Sequence, residues 1–160
     1  MRVFYWSKRQ IAKILLIMSA LLIIAMVSYD FIKDDIAVTT LVAQPIYQGN
    51  PNYKKMALAI NVDWGEEYLP GMLKIFKANN IKATFFITGR FATKFSEIVK
   101  TIALDGHEIG NHGYSHPHPD QISKKENQEE IKKTEQAIFE ASGVKTTLFA
   151  PPYGEHKPHV

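Results

Sequence analysis

Two patterns of apolar and polar positions alternate along the chain after residue 55. Three short segments rich in apolar residues predict strands, 56–62, 82–88 and 146–150, and the segment 107–111 predicts a further short strand. Three segments with apolar residues at helical spacing predict helices: 67–80, 93–106 and 120–142. The first two strands are almost wholly apolar, which is typical of strands buried in a parallel sheet. Strands that alternate with helices predict an α/β fold with a parallel sheet or barrel.

The first thirty residues follow neither pattern. Basic residues precede an uncharged, almost wholly apolar run from Ile14 to Tyr29: Arg2, Lys8, Arg9 and Lys13. A charged start followed by an apolar stretch is typical of an export signal, and its positive residues stay inside the cell. Because no A-x-A cleavage site follows, we expect an uncleaved anchor over residues 1–30. A cleaved signal, and therefore secretion, is the alternative.

The remaining residues divide into a linker and a domain. Residues 31–53 predict a linker with weak strand character at Ile36–Val42 and with turn-forming residues near its end. Residues 54–160 form the predicted domain. With an anchor in the cell membrane, this domain would face the outside of the cell as part of a single-pass protein.

Composition narrows the possible chemistry. The formal charge is +3 and the pI about 9.0, but residues 34–160 carry fourteen Lys and Arg against fifteen Asp and Glu. The basic excess therefore belongs to the amino terminus, and the domain has no basic face for nucleic acid. The chain has no cysteine. A metal site would have to use His, Asp or Glu.

The stretch "NHGYSHPH" places three histidines within residues 112–118. His112 and His116 are four residues apart, so both can lie on one side of a turn and bind one metal ion. A polar surface loop closed by Pro117 and Pro119 is the alternative. Asp63 ends the first predicted strand, the histidines follow the third, and "PPYG" (151–154) follows the fourth. Ligand sites in parallel α/β folds lie at these carboxyl ends of strands.

The order of these segments resembles the polysaccharide deacetylase family, the NodB-homology domain of carbohydrate esterase family four. The family motifs T-F-D-D-G, H-S/T-x-x-H and R-P-P-Y-G are similar to "NVDWG" (61–65), "HGYSH" (112–116) and "APPYG" (150–154). The resemblance runs from about Ile46 to Gly154. It implies a distorted (β/α) barrel, of which this chain would hold the amino-terminal portion, truncated at its carboxyl end.

The resemblance also implies roles for individual residues. Asp63 matches the general base, and His112 and His116 match the metal-binding histidines. The backbone N–H of Tyr153 matches a group that stabilises the oxyanion. The implied cofactor is a divalent metal, zinc in most members, which activates a water molecule. We further expect substrate-binding roles for four residues of these motifs: Trp64, Tyr114, Pro151 and Pro152.

Two positions depart from the family motifs. Trp64 replaces an aspartate that binds the metal, and an indole ring cannot replace a carboxylate ligand. Ala150 replaces an arginine that pairs with the catalytic aspartate, so we expect Asp63 to be less well oriented. Glu66, Glu67 or His118 could supply a third metal ligand. Alternatively, the glutamates begin the next helix and His118 is a surface residue.

The resemblance implies a hydrolase that removes acetyl groups from a cell-surface polysaccharide, peptidoglycan or a chitin-like polymer of amino sugars. Because of Trp64, Ala150 and the short length, the alternative is an impaired pseudoenzyme. Such a protein would bind cell-wall glycan or a partner in wall assembly. In either case the expected partners are cell-wall polysaccharide and the membrane, with no nucleic acid.

Overall fold

A long helix, α1 (Lys8–Ile36), contains the apolar run near the amino terminus. The structure, a computed structural model, describes residues 7–36, 45–52, 54–158 and 160. Within α1, Lys8–Met26 is long and apolar enough to cross a membrane, with a mean hydropathy of 1.9. Signal sequences have the same properties, so anchor and cleaved signal both stay predictions. Most of the weak strand predicted at Ile36–Val42 lies outside the described residues, and Ile36 ends α1.

The chain divides into two compact units, Met1–Gly49 and Asn50–Val160. The first contains α1, which extends beyond residue 30. The predicted division into 1–30, 31–53 and 54–160 stays a prediction.

In the second unit, the described residues form alternating strands and helices. In chain order they are β1 (Ala59–Val62), α2 (Leu69–Ala78), β2 (Thr84–Ile87), α3 (Gly89–Lys94), α4 (Ser96–Leu104), β3 (Glu108–Asn111) and α5 (Lys124–Ser142). The strands form a parallel sheet in the order β1-β2-β3, in which Ala59 pairs with Thr84 and Thr84 with Glu108. The predicted parallel α/β architecture is therefore confirmed.

The core lies where the helices cover one face of this sheet. Phe85 and Ile87 of β2 are fully buried, whereas Thr84 and Phe86 on the opposite face are half-buried. Each long helix contributes the apolar stripe that its spacing predicts. The buried members of these stripes are Leu69, Leu73, Val99, Ile102, Thr134, Ala137 and Ile138.

The predicted fourth strand at 146–150 is wrong as a strand. Within the part of the chain that the structure describes, this segment forms one parallel bridge, between Asn111 and Phe149. The Asn111 N–H donates to Leu148 O and the Asn111 carbonyl accepts from Ala150 N–H, at 2.9 and 3.0 Å. Because β3 ends at Asn111, the pairing stops after one step, yet it places residues 150–154 beside the end of β3.

Helix caps explain the other differences from prediction. The segment 93–106 belongs to two helices, α3 and α4, because Phe95 leaves the helical conformation (φ −125°, ψ 47°) and ends one helix as it begins the next. The helix predicted from residue 120 begins at Lys124 after a 3₁₀ turn at Pro119–Gln121. Ser123 and Glu126 form a capping box there, which satisfies free N–H groups of the first turn.

Gly89 provides a test of this packing. A Cβ atom there would lie 2.2 Å from the ring of Tyr114 and 2.9 Å from Thr134 Oγ1. We expect Gly89→Ala to lower the free energy of unfolding by about 1–3 kcal/mol through overpacking. Urea unfolding followed by near-ultraviolet circular dichroism would measure it.

Gly71 in α2 is the matched control, because a Cβ there meets nothing within 4 Å. Gly71→Ala should be neutral or stabilising by up to about 1 kcal/mol, as alanine is the better helix former. Equal effects at the two glycines would contradict this account of the contact between α3 and Tyr114.

Candidate active site

Backbone hydrogen bonds extend the sheet past its strands and bring the candidate residues together. Thr88 N–H donates to Val62 O, His112 N–H to Ile87 O and Ala150 N–H to Asn111 O, at 3.0–3.1 Å. Asp63, Thr88 and His112 therefore follow β1, β2 and β3 at the same edge of the sheet, and Ala150 lies beside them. This is the edge at which parallel α/β folds bind ligands.

Three hydrogen bonds hold the carboxylate of Asp63. The Thr88 hydroxyl donates to Oδ1 at 2.9 Å, and Arg90 Nε donates to the same oxygen at 2.6 Å. Arg90 Nη2 donates to Oδ2, so the guanidinium binds both carboxylate oxygens. Burial by itself raises the pKa of Asp63, but the Arg90 and Thr88 hydrogen bonds outweigh it and the pKa lies below its ordinary value. Asp63 is therefore ionised at neutral pH.

His112 is buried and its tautomer follows from its partner. Nδ1 lies 2.7 Å from the carbonyl oxygen of Ala150, which can only accept, so Nδ1 carries the proton. Burial lowers the pKa of His112 below its ordinary value, which favours the neutral ring. Nε2 then has a free lone pair, the form of imidazole that binds metals.

Aromatic rings connect the histidine loop, residues 111–118, to the 151–154 segment. The ring of His116 makes edge contacts with His112 and Tyr153, both with centroids 4.9 Å apart. His118 stacks on Tyr153 at 3.8 Å and pairs through Nδ1 with Glu155 at 2.8 Å. His116 and Tyr153 both have positive φ, 58° and 59°, a conformation that disfavours most side chains. Such strain persists only where surrounding contacts impose it.

Glu130 of α5 fixes the histidine loop. Its Oε2 accepts the N–H groups of Tyr114 and Ser115, each at 2.7 Å, and its Oε1 accepts the Ser115 hydroxyl at 2.9 Å. Asn111 adds a bond from Nδ2 to Ile131 O at 2.8 Å. Bonds from N–H groups to a carboxylate are among the stronger ones in proteins, so α5 determines where the loop lies.

The residues present do not make up a complete metal site. Among the residues that the structure describes, no group of three or more His, Asp or Glu side chains could hold a metal ion. His118 is paired with Glu155, and Glu66 and Glu67 lie in the turn before α2. Two imidazoles remain where zinc sites use three or four protein ligands.

The predicted substrate-binding residues lie in different environments. Trp64 and Tyr153 are exposed, with 79% and 60% of their surface open to solvent. Pro151 is half-buried and Pro152 is buried. The ring of Tyr114 packs against the core and Gly89. All these roles, and those of Asp63, Tyr153, His112 and His116, stay predictions.

Three residues of this site were not predicted from the sequence: Thr88, Arg90 and Glu130. Thr88 directly follows β2 and Arg90 lies two residues later in α3, so the strand-end rule that selected Asp63 could have drawn attention to both. Glu130 lies within α5 among other charged residues. No sequence pattern around Glu130 distinguishes it from the charged residues of a solvent-exposed helix face.

The chain belongs to the polysaccharide deacetylase family, whose model matches residues 48–160. It is 43% identical over 105 residues to a peptidoglycan-N-acetylglucosamine deacetylase of Bacillus cereus, covering 64% of this chain and 38% of that protein. The motif-based resemblance is therefore confirmed.

Solved structures of the same family confirm the fold class. The wild-type protein BA3943 of Bacillus anthracis, described as a CE4 family pseudoenzyme, matches with a TM-score of 0.71 and 41% identity, covering 74% of this chain and 42% of that one. A mutant of BA3943 described as having restored enzymatic activity matches with a TM-score of 0.71 and 39% identity, covering 74% and 44%. This chain thus spans less than half the length of these relatives, and it contains only part of the family's barrel.

Acid unfolding tests the Asp63 contacts. The pKa of Asp63 is lower in the folded chain than the ordinary 3.8, so its contribution to stability is complete above that value. The contribution is lost as the pH falls through the folded pKa. We expect the free energy of unfolding of the wild type to fall more steeply below about pH 4 than that of Asp63→Asn. Urea titrations between pH 7 and pH 2.5 would measure both, and parallel curves would contradict the contacts.

Amide hydrogen exchange tests the anchoring of the histidine loop. We expect Glu130→Ala to accelerate exchange at Tyr114 and Ser115 by about tenfold or more, since each N–H loses a hydrogen bond worth roughly 1.5 kcal/mol or more. Glu129→Ala, an exposed neighbour on the same helix, is the control and should change neither rate. Unchanged exchange in Glu130→Ala would show that other contacts hold the loop.

Proposed function

We propose that this chain binds N-acetylated cell-wall glycan, peptidoglycan or a chitin-like polymer, at a deacetylase-type site that lacks a complete set of metal ligands. Trp64 carries the proposal, since it stands where the family motif has a metal-binding carboxylate and no other side chain in the described part of the chain completes the set. The similarity to BA3943, described as a pseudoenzyme, supports it. Peptidoglycan as the glycan is supported by the Bacillus cereus relative.

Exposed aromatic rings near the strand ends would provide the binding surface. Trp64 follows Asp63 directly, and Tyr153 lies against His116. Aromatic faces combine large apolar area with little conformational entropy, which suits contact with the apolar faces of sugar rings. Tyr114 and Pro151 complete the proposed surface, with Pro152 as its buried support.

Metal-dependent deacetylation by the chain as it stands is the second candidate. The specific observation in its favour is that Asp63 is held ionised and that His112 keeps Nε2 unprotonated. In this case His112 and His116 would hold a divalent metal, zinc by family, which would supply an activated water and polarise the acetyl carbonyl. Asp63 would be the general base, and the Tyr153 N–H would stabilise the oxyanion.

The proposed location follows from α1. With Lys8–Met26 as a membrane segment, the domain would lie outside the cell, where wall polysaccharide is found. A cleaved signal would place the domain in the same compartment without an anchor.

Calorimetric zinc titration of the full chain, in detergent, decides between the candidates. We expect Trp64→Asp to bind zinc at least about tenfold more tightly than the wild type, since even an outer hydrogen-bond partner of a ligand contributes that much. We also expect Trp64→Asp to release acetate from an N-acetylglucosamine polymer and the wild type to release none. His112→Ala with His116→Ala should abolish zinc binding in both backgrounds.

Wild-type zinc binding as tight as that of Trp64→Asp, together with acetate release, would establish the second candidate. Glycan binding is measured separately, by sedimentation of the wild type with purified peptidoglycan. Trp64→Ala should weaken this binding, and a wild type that stays in solution would refute the first candidate.

A further inference from the structure

The carboxylate of Asp63 binds a guanidinium group, although the motif position at which the family has its arginine is the uncharged Ala150 in this chain. The family motif R-P-P-Y-G has its arginine at the position of Ala150, beside β3. In this chain Arg90 makes the contact instead, with Nε on Oδ1 and Nη2 on Oδ2. Arg90 comes from the first turn of α3, which follows β2, and not from the segment beside β3.

The backbone places Arg90 at this point. Thr88 caps α3 by accepting the Phe91 N–H with its hydroxyl at 3.3 Å. The next two N–H groups, of Gly89 and Arg90, donate to the carbonyls of Gly113 and Tyr114, each at 3.0 Å. The start of α3 is therefore attached to the histidine loop, and the side chain of Arg90 extends from a fixed origin toward the end of β1.

We propose that Arg90 is a positioning residue that has taken over, from α3, the role of the arginine missing at position 150: it orients the carboxylate of Asp63. The bidentate contact determines both the direction and the rotation of the carboxylate, which a single hydrogen bond cannot do. If Arg90 has this role, the loss of the arginine at position 150 does not by itself leave Asp63 poorly oriented.

The contact also determines which lone pair of Asp63 stays available. A carboxylate has about four acceptor positions. Among the described residues, Oδ1 accepts from Thr88 and Arg90, whereas Oδ2 accepts from Arg90 alone. The remaining acceptor capacity therefore lies mainly on Oδ2. Which group donates to Oδ2, a glycan amide or a water molecule, depends on the proposed function. The replacement of the family's arginine by Arg90 does not depend on it.

Stability alone does not account for the pair. The side chain of Arg90 is 51% exposed, and that of Asp63 is 18% exposed. Ion pairs with this much solvent contact contribute about 0–1 kcal/mol to folding. Four other titratable groups of the described chain face the pair. His116 favours the charged form of Asp63, Tyr153 and Glu130 favour the charged form of Arg90, and His112 interacts electrostatically with Asp63.

Carbon-13 NMR of aspartate side chains in the full chain, in detergent micelles, tests the proposal without any need for catalysis. The Asp63 carboxyl signal is assigned with Asp63→Asn. In Arg90→Ala its titration midpoint should rise, and in Arg90→Ala with Ala150→Arg it should return toward the wild-type midpoint. In Arg90→Lys the midpoint should lie between those of the wild type and Arg90→Ala, since lysine has the charge without the planar guanidinium.

Lys94→Ala is the matched control, because it removes a cation from the same helix at the Phe95 ring, 4.7 Å from its centroid. It should leave the midpoint of Asp63 unchanged. A midpoint that does not move in Arg90→Ala or Arg90→Lys, or that moves equally in Lys94→Ala, would overturn the proposal. Backbone amide spectra verify that each variant is folded.

Acetate release in the Trp64→Asp background gives a second readout. With zinc present, Arg90→Ala should lower kcat about 100-fold with little change in KM, as expected for a misplaced base. Ala150→Arg should recover most of it. An inactive Trp64→Asp protein would contradict only the expectation that Trp64 is what prevents catalysis, because neither the NMR result nor the glycan-binding measurement depends on it. An active one that is insensitive to Arg90→Ala would refute the positioning role.

Discussion

Three backbone hydrogen bonds beyond the ends of the strands determine the geometry of the site: Thr88 to Val62, His112 to Ile87, and Ala150 to Asn111. The first two continue the parallel register by one residue beyond β2 and β3, so the residues that follow the strands are held at the edge of the sheet. The N–H groups of Gly89 and Arg90 then bind the histidine loop, so strands, helix and loop form one hydrogen-bonded unit. Asp63, Arg90 and His112 all depend on that unit for their positions.

The sequence was sufficient to predict those residues of the site that come directly after a strand in the chain. Continuous apolar runs identified β1 and β2, and the residues after them could be assigned to one edge because parallel strands all end there. Asp63 and the two histidines were found in this way, and the motif order identified the family. The helix stripes at Val99, Ile102, Ala137 and Ile138 also matched their spacing.

Contacts between distant residues could not be predicted from spacing. Arg90 meets Asp63 across 27 positions, and Glu130 meets Ser115 across 15, and neither pair has a local pattern. The late start of α5 depends on the capping box at Ser123, and the break between α3 and α4 depends on the non-helical backbone at Phe95. The segment 146–150 has strand composition, but its pairing is limited by where β3 ends, which is a property of the sheet.

The exchange of partners around Asp63 has a consequence for how family members are compared. A score that counts identities at motif positions records Ala150 as a loss and gives Arg90 no weight. The same charge reaches the same carboxylate from a different segment of the chain. Two lineages can therefore share an electrostatic arrangement around one aspartate while the arginine that completes it stands at different positions of the chain. Superposition of charged groups in the structures, rather than alignment of the sequences, is therefore the appropriate basis for deciding which relatives have lost catalytic activity.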